Sequence, residues 1–430
     1  MSHLSRRHFF QGAAMALSAT RVMGANDQIN VGLIGIGGRG NNHLDTYGRI
    51  TGARLAAICD VNQAAREKAQ VKIEKLGTGK AAEYDDMRKL FADKTVDAVS
   101  VATPNHWHAL TTIWACEAGK DVYCEKPASH NVHESFRMVE VARRTNRMVQ
   151  IGSQSRSTPY KIKAIELLRG GVIGELYMAK ALCFKRRKSI GKAPAEPVPA
   201  GINWDLFLGP APYREFTRNR FAYNWHWFWD TGNGDIGNQG VHEMDVARWG
   251  LGELTWPKSV VSTGGKYLYD DDQETPNTQM ATLDYGGKQI MFEVRGLLTG
   301  PEAGQPVGTY PVGNLFYGSE GWMWIGDGGF QVFKGEKSER IMDEKVERGG
   351  GDGTKLHMEN FLAACRSRNY KALNAEVEIG AISAGLCHFA NNSYRAGQRK
   401  LVWDGANRVY TGDVEATKLL TRDYRKPYVV

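Results

Sequence analysis

Residues suited to holding a dinucleotide and to moving a proton beside it occur at three places in this chain. The first is Gly35-Ile36-Gly37-Gly38-Arg39-Gly40, directly after the β-prone apolar run 29–34. In that context a G-x-G-x-x-G motif has a physical reading. Gly35 permits a tight turn, Gly37, with Gly38 and Arg39 beside it, lets backbone amides approach a pyrophosphate, and Gly40 lets the following helix pack closely on the strand. Asp60 closes a second apolar run, 54–59, and stands 20 residues beyond Gly40. Its carboxylate is placed to accept hydrogen bonds from the adenosine ribose hydroxyls and to repel a 2′-phosphate. NAD is therefore the expected cofactor, and Arg39 keeps NADP as the lesser alternative. The second place is Glu125-Lys126-Pro127, at the end of the run 121–124. An ammonium group beside a cationic nicotinamide ring is driven toward a lower pKa and can relay a proton. The third is the pair Asn238 and His242, whose i, i+4 spacing puts both on one face of a turn or helix, where they can converge on one hydroxyl.

These residues need a scaffold, and the chain supplies a readable one. After the glycine loop comes a helix at 41–50, then strands at 54–59, 97–102, 121–124 and 148–151, with helices at 109–118 and 133–145 between them. Near-continuous apolar strands alternating with helices predict a parallel sheet covered on both faces, with ligands at the carboxyl ends of the strands. Two loops fall at such ends, Thr103-Pro104-Asn105-His106-Trp107-His108 and Glu125-Lys126-Pro127. His106 and His108 read equally as cap or core histidines and as ligand contacts; no third metal-ligating partner accompanies them, and no metal is expected.

Beyond residue 150 a helix at 160–169 leads into a strand at 176–183. The basic run Lys185-Arg186-Arg187-Lys188 reads as a solvated loop, with contact to an acidic sugar or a partner as the other reading. Asn224-Trp225-His226-Trp227-Phe228-Trp229-Asp230 reads as a strand whose alternating tryptophans are either a core face or a platform for sugar rings. Short β-prone runs separated by glycine-rich turns from 258 to 345 predict an antiparallel sheet, and helices follow at 354–366 and 375–396. His357 and Asn360 in the first of these either line a cleft or cover the core.

The glycine loop, the T-P-N-x-x-H loop and the E-K-P tripeptide, in this order and spacing, resemble the glucose-fructose oxidoreductase / inositol dehydrogenase (Gfo/Idh/MocA) family, and the N-x-G-x-H-x-x-D segment from Asn238 is similar to that family's catalytic segment. The resemblance implies an α/β chain: an N-terminal Rossmann domain at 27–150, and at 151–430 an α+β domain built on a large open, mainly antiparallel sheet that binds substrate and mediates oligomerisation. Helix 375–396 would pack back on the first domain. It implies cofactor contacts from Thr103, Pro104, Asn105, His108, Glu125 and Lys126, and substrate contacts from Gln154, Trp225, Trp227, Asn238 and His242. Lys126 would lie between the nicotinamide ribose and the substrate hydroxyl, with Lys126-Pro127 as a candidate cis peptide. His242 would act as general base with Lys126 as its partner. The family's dehydrogenases usually carry Asp where this chain has Asn238. An Asp can hold a histidine in one tautomer and stabilise the imidazolium; Asn can only orient it or bond the substrate, leaving Asp235 and Asp245 as candidates for the missing carboxylate.

Composition narrows the function classes. The 430 residues carry 55 Lys and Arg against 47 Asp and Glu, scattered and without a recognition motif, so no nucleic-acid role is expected. No apolar run is long enough for stable membrane insertion. Six cysteines without a C-x-x-C pair read as free thiols. Ser5-Arg6-Arg7-His8-Phe9-Phe10 before an Ala-rich stretch resembles a twin-arginine export signal, so residues 1–26 are read as an address and the protein as exported or periplasmic. Outside the cytoplasm little NAD is available, and the cofactor is expected to stay bound and be restored at each turnover. The leading expectation is an NAD-dependent oxidoreductase of a sugar, polyol or glycoside, a homodimer or homotetramer. The alternatives are an NAD-dependent glycoside hydrolase using oxidation, elimination, hydration and reduction, and a non-catalytic sugar-binding protein that retains the fold.

Overall fold

A computed structural model describes residues 28–77, 79–252, 255–297, 312–347 and 352–430. The segment read as an export signal lies outside the described residues. The first half is a six-stranded parallel sheet in the order β3-β2-β1-β4-β5-β6, formed by β1 (Ile29–Ile34), β2 (Ala53–Cys59), β3 (Ala82–Tyr84), β4 (Ala98–Val101), β5 (Asp121–Cys124) and β6 (Val149–Ile151). Its helices are α1 (Gly38–Tyr47), α2 (Gln63–Lys75), α3 (Met87–Ala92), α4 (Asn105–Glu117) and α5 (Val132–Thr145). Strands β4 and β5 are buried at every position, as a sheet covered on both faces requires. The strand order reverses beside β1, so the carboxyl ends of β1 and β4 open a crevice there.

After a 3₁₀ turn (Gln154–Ser157), the chain forms α6 (Pro159–Arg169), β7 (Leu176–Cys183) and then a long excursion holding α7 (Trp204–Leu208) and two further 3₁₀ turns (Arg218–Arg220 and Asn224–Trp227). Next come α8 (Gly234–Asn238) and α9 (Gly240–Gly250), followed by strands β8 (Ser259–Gly265), β9 (Thr278–Asp284), β10 (Gln289–Arg295), β11 (Val312–Gly318), β12 (Gly321–Gly326), β13 (Gly329–Lys334) and β14 (Glu339–Lys345). The chain closes through α10 (Thr354–Ser367), α11 (Val377–Arg395), β15 (Leu401–Asp404), β16 (Val409–Tyr410) and α12 (Val414–Lys418). The second sheet has ten strands, all antiparallel pairs except β7 beside β10. Strands β9 and β10 alternate buried and half-buried or exposed residues, the pattern of a sheet with one covered face.

The two halves are interleaved. Helix α11 packs on α5 of the first half as well as on α9 and β8 of the second. Helix α10 covers the first sheet through Met358, Phe361 and Leu362, all buried in one core with Tyr47 and Tyr123. His357 bonds Ser157 Oγ (2.6 Å) and the Ile151 carbonyl (2.9 Å), and Asn360 bonds the Ala372 carbonyl. His357 therefore serves the core, while Asn360 is half-buried and ties α10 to the segment before α11; neither lines the cleft. Behind the site, Asp245 takes a two-pronged bond from Arg156 (2.8 and 2.9 Å) and a third from Ser383, tying α9 and α11 to the turn after β6.

Two differences from the sequence reading have simple causes. The helix after the glycine loop begins at Gly38 and not Asn41, with Gly37 as its N-cap, so the last residues of the loop are themselves the first turn of the helix. The Trp-rich segment is a 3₁₀ turn and not a strand, since packing against α8 overrides its period of two. In the glycine loop itself, Gly35 has φ +77°, and a Cβ on Gly40 would lie 1.9 Å from the Gly35 carbonyl oxygen. Gly40→Ala must push α1 off β1. We expect a loss of about 1–3 kcal/mol in stability together with at least a tenfold loss of NAD affinity. Urea unfolding and titration with NAD check both, and an unchanged midpoint and affinity would contradict this packing.

Candidate active site

A cleft of about 590 Å³ runs along the carboxyl edge of the first sheet, between the glycine loop and the excursion from the second half. At its floor, Gly37 and Gly38 have open space where a Cβ would stand. No side chain caps α1, so the first amides of the helix are left as donors for an anion. Asp60 lines the same wall, accepting from the amides of Ile36 (2.8 Å) and Asn62 (2.9 Å). Burial raises its pKa, and these two bonds oppose the rise. Thr103 Oγ is buried without a partner among the described residues and Thr103 faces the cleft. An uncapped helix, a cradle that a Cβ would fill and an acceptor at the far end of β2 together fit a dinucleotide. Arg39 is committed elsewhere: its Nε donates to Glu125 (2.9 Å) and its Nη2 reaches Thr354. The cation that kept NADP open is thus ion-paired with Glu125.

Glu125 is the hub of the site. Only 4% of it is exposed, yet Arg39, His43 (3.0 Å) and Gln154 (2.9 Å) all donate to Oε1, and the Lys126 amide donates to Oε2 (3.1 Å). His43 must carry its proton on Nε2 to do so, with Nδ1 taking the Ser100 hydroxyl (2.9 Å). Burial alone would raise the Glu125 pKa, but the Arg39 charge and the His43 bond hold it well below the usual carboxylate range. Gly152 is required beside it, because a Cβ there would meet the carboxyl group at 2.8 Å. Gln154 is thereby corrected: its amide bonds Tyr123 (2.9 Å) and Glu125 behind the cleft wall instead of facing a substrate.

Lys126 follows this hub across a cis peptide bond to Pro127 and reaches over the cleft to donate to the Asn238 carbonyl (2.7 Å). Its pKa is lowered, chiefly by burial, with Glu125 opposing and Arg39 adding to the fall. His108 braces the loop. Its ring nitrogens lie 2.6 Å from the Pro127 carbonyl and 2.8 Å from that of Thr103, so both are engaged by backbone. Asn105 also faces the cleft, and its amide donates to Asn233 (3.0 Å), just before α8.

From the second half, Asn238, Tyr223, Trp225 and His226 reach the cleft wall. The Asn238 amide donates to the Tyr223 hydroxyl (3.0 Å) and lies 3.4 Å from Asp235. Asp235 is held by Arg187 through bonds of 2.9 and 2.6 Å. Neither Asp235 nor Asp245 supplies a carboxylate to His242, because each is taken up by an arginine. His242 is half-buried, and no described side chain bonds its imidazole. Burial and then the Lys126 charge push its pKa down to about 3, leaving a neutral ring. Of the two tryptophans, only Trp225 faces the cleft, its ring stacked on His226 with centroids 3.6 Å apart. Trp227 is buried beneath, with the Arg187 guanidinium over its ring at 5.3 Å.

Sequence reasoning misses Tyr223, which immediately precedes the aromatic run, and reads His226 only as a member of that run. Arg187 reads, within a basic run, as a solvated loop or a sugar contact; the structure instead pairs it with Asp235, 48 residues away.

The excursion also roofs the end of the cleft beside Asp60. Trp204, Phe207 and Phe216 form a small core against Val61 and Phe221, the Asn203 amide bonds the Val61 carbonyl (3.0 Å), and Trp107 donates to the Phe207 carbonyl (3.0 Å). The C-terminal Tyr428 packs edge-on to Trp107.

Residues 29–153 match a family model described as an oxidoreductase family, NAD-binding Rossmann fold, and residues 183–276 match that family's C-terminal alpha/beta domain. Together they take in about half of the chain. Among curated proteins, a "Glycosyl hydrolase family 109 protein" of Shewanella sp. (strain W3-18-1) is 32% identical over 36% of this chain and 35% of its own length. The match thus spans about a third of that relative. Among solved structures, the WlbA dehydrogenase from Bordetella pertussis, in complex with NADH and UDP-GlcNAcA, aligns with a TM-score of 0.64 at 20% identity, over 88% of this chain and 99% of the other. An aldose-aldose oxidoreductase from Caulobacter crescentus aligns with a TM-score of 0.64 at 18% identity, over 87% of this chain and 99% of the other. At such identities the likeness is one of fold.

Two variants test the electrostatics. Glu125→Gln removes a buried charge from between its donors, and we expect a loss of about 3 kcal/mol near pH 7. Glu125 has a depressed folded pKa, so its contribution is present above the unfolded carboxyl value and lost as pH falls through the folded one. The stability gap between variant and wild type in urea should therefore narrow on acidification below about pH 4.5; a gap independent of pH would contradict the ionised hub. Asn238→Asp puts a second carboxylate beside Asp235 and raises the new group's pKa. We expect it to be about 1–2 kcal/mol less stable than wild type near pH 7, with relief toward about pH 5. A variant as stable as wild type at both pH values would count against the observed spacing.

Proposed function

This chain belongs to the Gfo/Idh/MocA family of NAD-binding oxidoreductases, and from that premise we propose that it oxidises a sugar, polyol or glycoside with NAD that stays bound through the cycle. The observation that carries this reading is one cleft in which the uncapped glycine-loop helix, the anchored Lys126 and the Asn238-Tyr223-Trp225 wall face one another. NAD, when bound, supplies the hydride acceptor. The chain's own groups do the rest. The α1 amides hold the pyrophosphate, and Asp60 bonds the adenosine ribose. Trp225 offers an indole face to a sugar ring. Lys126, with its pKa lowered by burial, takes and returns the hydroxyl proton through Nζ. His242, neutral near pH 7 because burial and Lys126 depress it, orients the same hydroxyl and is able to accept its proton. The roof over the adenosine end keeps the nucleotide from leaving and excludes water from one side of the site.

A closed cycle suits a protein that is exported folded, as the twin-arginine-like segment suggests, and we place it outside the cytoplasm. We further propose a homodimer or homotetramer through the open face of the second sheet, where Tyr177 and Met280 are each about half exposed. The similarity to proteins named glycosyl hydrolase family 109 favours a second reading, in which oxidation of one sugar carbon acidifies its neighbour, the aglycone leaves and water adds before reduction.

Purified protein never supplied with nucleotide should release about one NAD per chain on denaturation and should act on aldoses or chromogenic glycosides. Aglycone release with no net NADH would select the glycosidase reading. Lys126→Ala should lower turnover at least a hundredfold and His242→Ala at least tenfold, with NAD content retained. Unchanged turnover in both would sink the site assignment.

A further inference from the structure

The phenol of Tyr223 stands at the cleft wall with about half of the residue exposed. Its oxygen receives two N–H donors, Asn238 Nδ2 at 3.0 Å and Arg187 Nη1 at 3.2 Å. Neither donor can accept in return. A guanidinium has no acceptor atom, and the amide nitrogen of Asn has none. The acceptor side of the phenol is therefore occupied from within the protein. Among the described residues nothing accepts from its own O–H, and the cleft, whose wall it lines, is where that donor can be used.

The residue at 238 sets this direction. A carboxylate there would accept the phenol proton and turn Tyr223 into an acceptor toward the cleft. Asn238 donates instead, and its geometry has an electrostatic reason: Asp235 Oδ1 already lies 3.4 Å from the amide nitrogen, where a second carboxylate would be repelled. The same asparagine receives Lys126 Nζ on its backbone carbonyl at 2.7 Å. Asn238 thus anchors two proton-bearing groups, one through its side chain and one through its main chain.

We propose that Tyr223 is a substrate-contacting residue of this site, a hydrogen-bond donor that selects sugars presenting a bare acceptor oxygen, above all the carbonyl oxygen of an oxidised sugar. Arg187 and Asn238 act through it as positioning residues. The inference deepens the oxidoreductase reading and rests on it. The carbonyl form of the sugar is held more tightly than a ring that lacks that oxygen, which keeps the oxidised intermediate in the cleft between the two halves of a closed cycle.

The test is calorimetric binding to the NAD-containing protein, with D-glucono-1,5-lactone as the probe and 1,5-anhydro-D-glucitol, the same ring without the carbonyl, as its control. Wild type should bind the lactone about tenfold more tightly than the control, the range of one net hydrogen bond. Tyr223→Phe, which keeps the ring, should lose most of that preference through weaker lactone binding while its affinity for the control and its NAD content stay as in wild type. Equal affinities for the two rings in wild type, or an unaltered preference in Tyr223→Phe, would overturn the role of Tyr223 and leave the oxidoreductase reading intact. Binding of neither ring by wild type, with no turnover of any aldose, polyol or glycoside, would overturn the sugar reading and this inference with it.

Discussion

A carboxylate buried to within 4% exposure and kept ionised is the constraint around which this molecule is organised. An isolated buried charge is strongly unfavourable, so Glu125 is tolerable only while its donors stay in place. Those donors come from different parts of the chain: Arg39 and His43 from α1, Gln154 from the turn after β6, and the Lys126 amide from its own strand end. Satisfying one carboxylate therefore fixes the uncapped helix after the glycine loop, the sheet edge and the lysine at once. Gly152 completes the arrangement by leaving room that any side chain would fill.

From that hub the site extends to the second half by single polar ties. Lys126 reaches the Asn238 carbonyl and Asn105 reaches Asn233, which sets α8 against the cofactor edge. Arg187 and Asp235 then orient Asn238 and Tyr223 from behind. The chemistry of the cleft thus depends on two ion pairs, Arg39–Glu125 in its wall and Arg187–Asp235 behind it. Burial lowers the pKa of both Lys126 and His242, and the nearby Glu125 carboxylate opposes the fall in each.

Much of this was legible in the sequence because it is local. The glycine loop, Asp60 and the strand-end Lys126 declare themselves by residue type within a few positions of a β-prone run, and a parallel sheet follows from alternating apolar strands and helices. What was hidden is long-range. Nothing near Arg187 indicates that it belongs to Asp235, and nothing near Gln154 indicates that its amide serves Glu125 instead of a substrate. The cover that α10 gives to the first sheet likewise depends on a segment some 200 residues beyond that sheet. The Trp-rich segment failed for another reason: its alternation is genuine, but a tight turn against α8 shows one indole to the cleft and buries the other.

Oxidation in this cleft on a nucleotide that does not leave it is observable by stopped-flow absorbance near about 340 nm, on mixing the purified NAD-containing protein with a sugar it turns over. A transient of no more than one equivalent per chain should appear and decay as product forms, with no nucleotide in the filtrate afterward. Turnover without any transient by protein stripped of nucleotide, or a steady accumulation of free reduced nucleotide when NAD is supplied in excess, would contradict oxidation on a retained nucleotide.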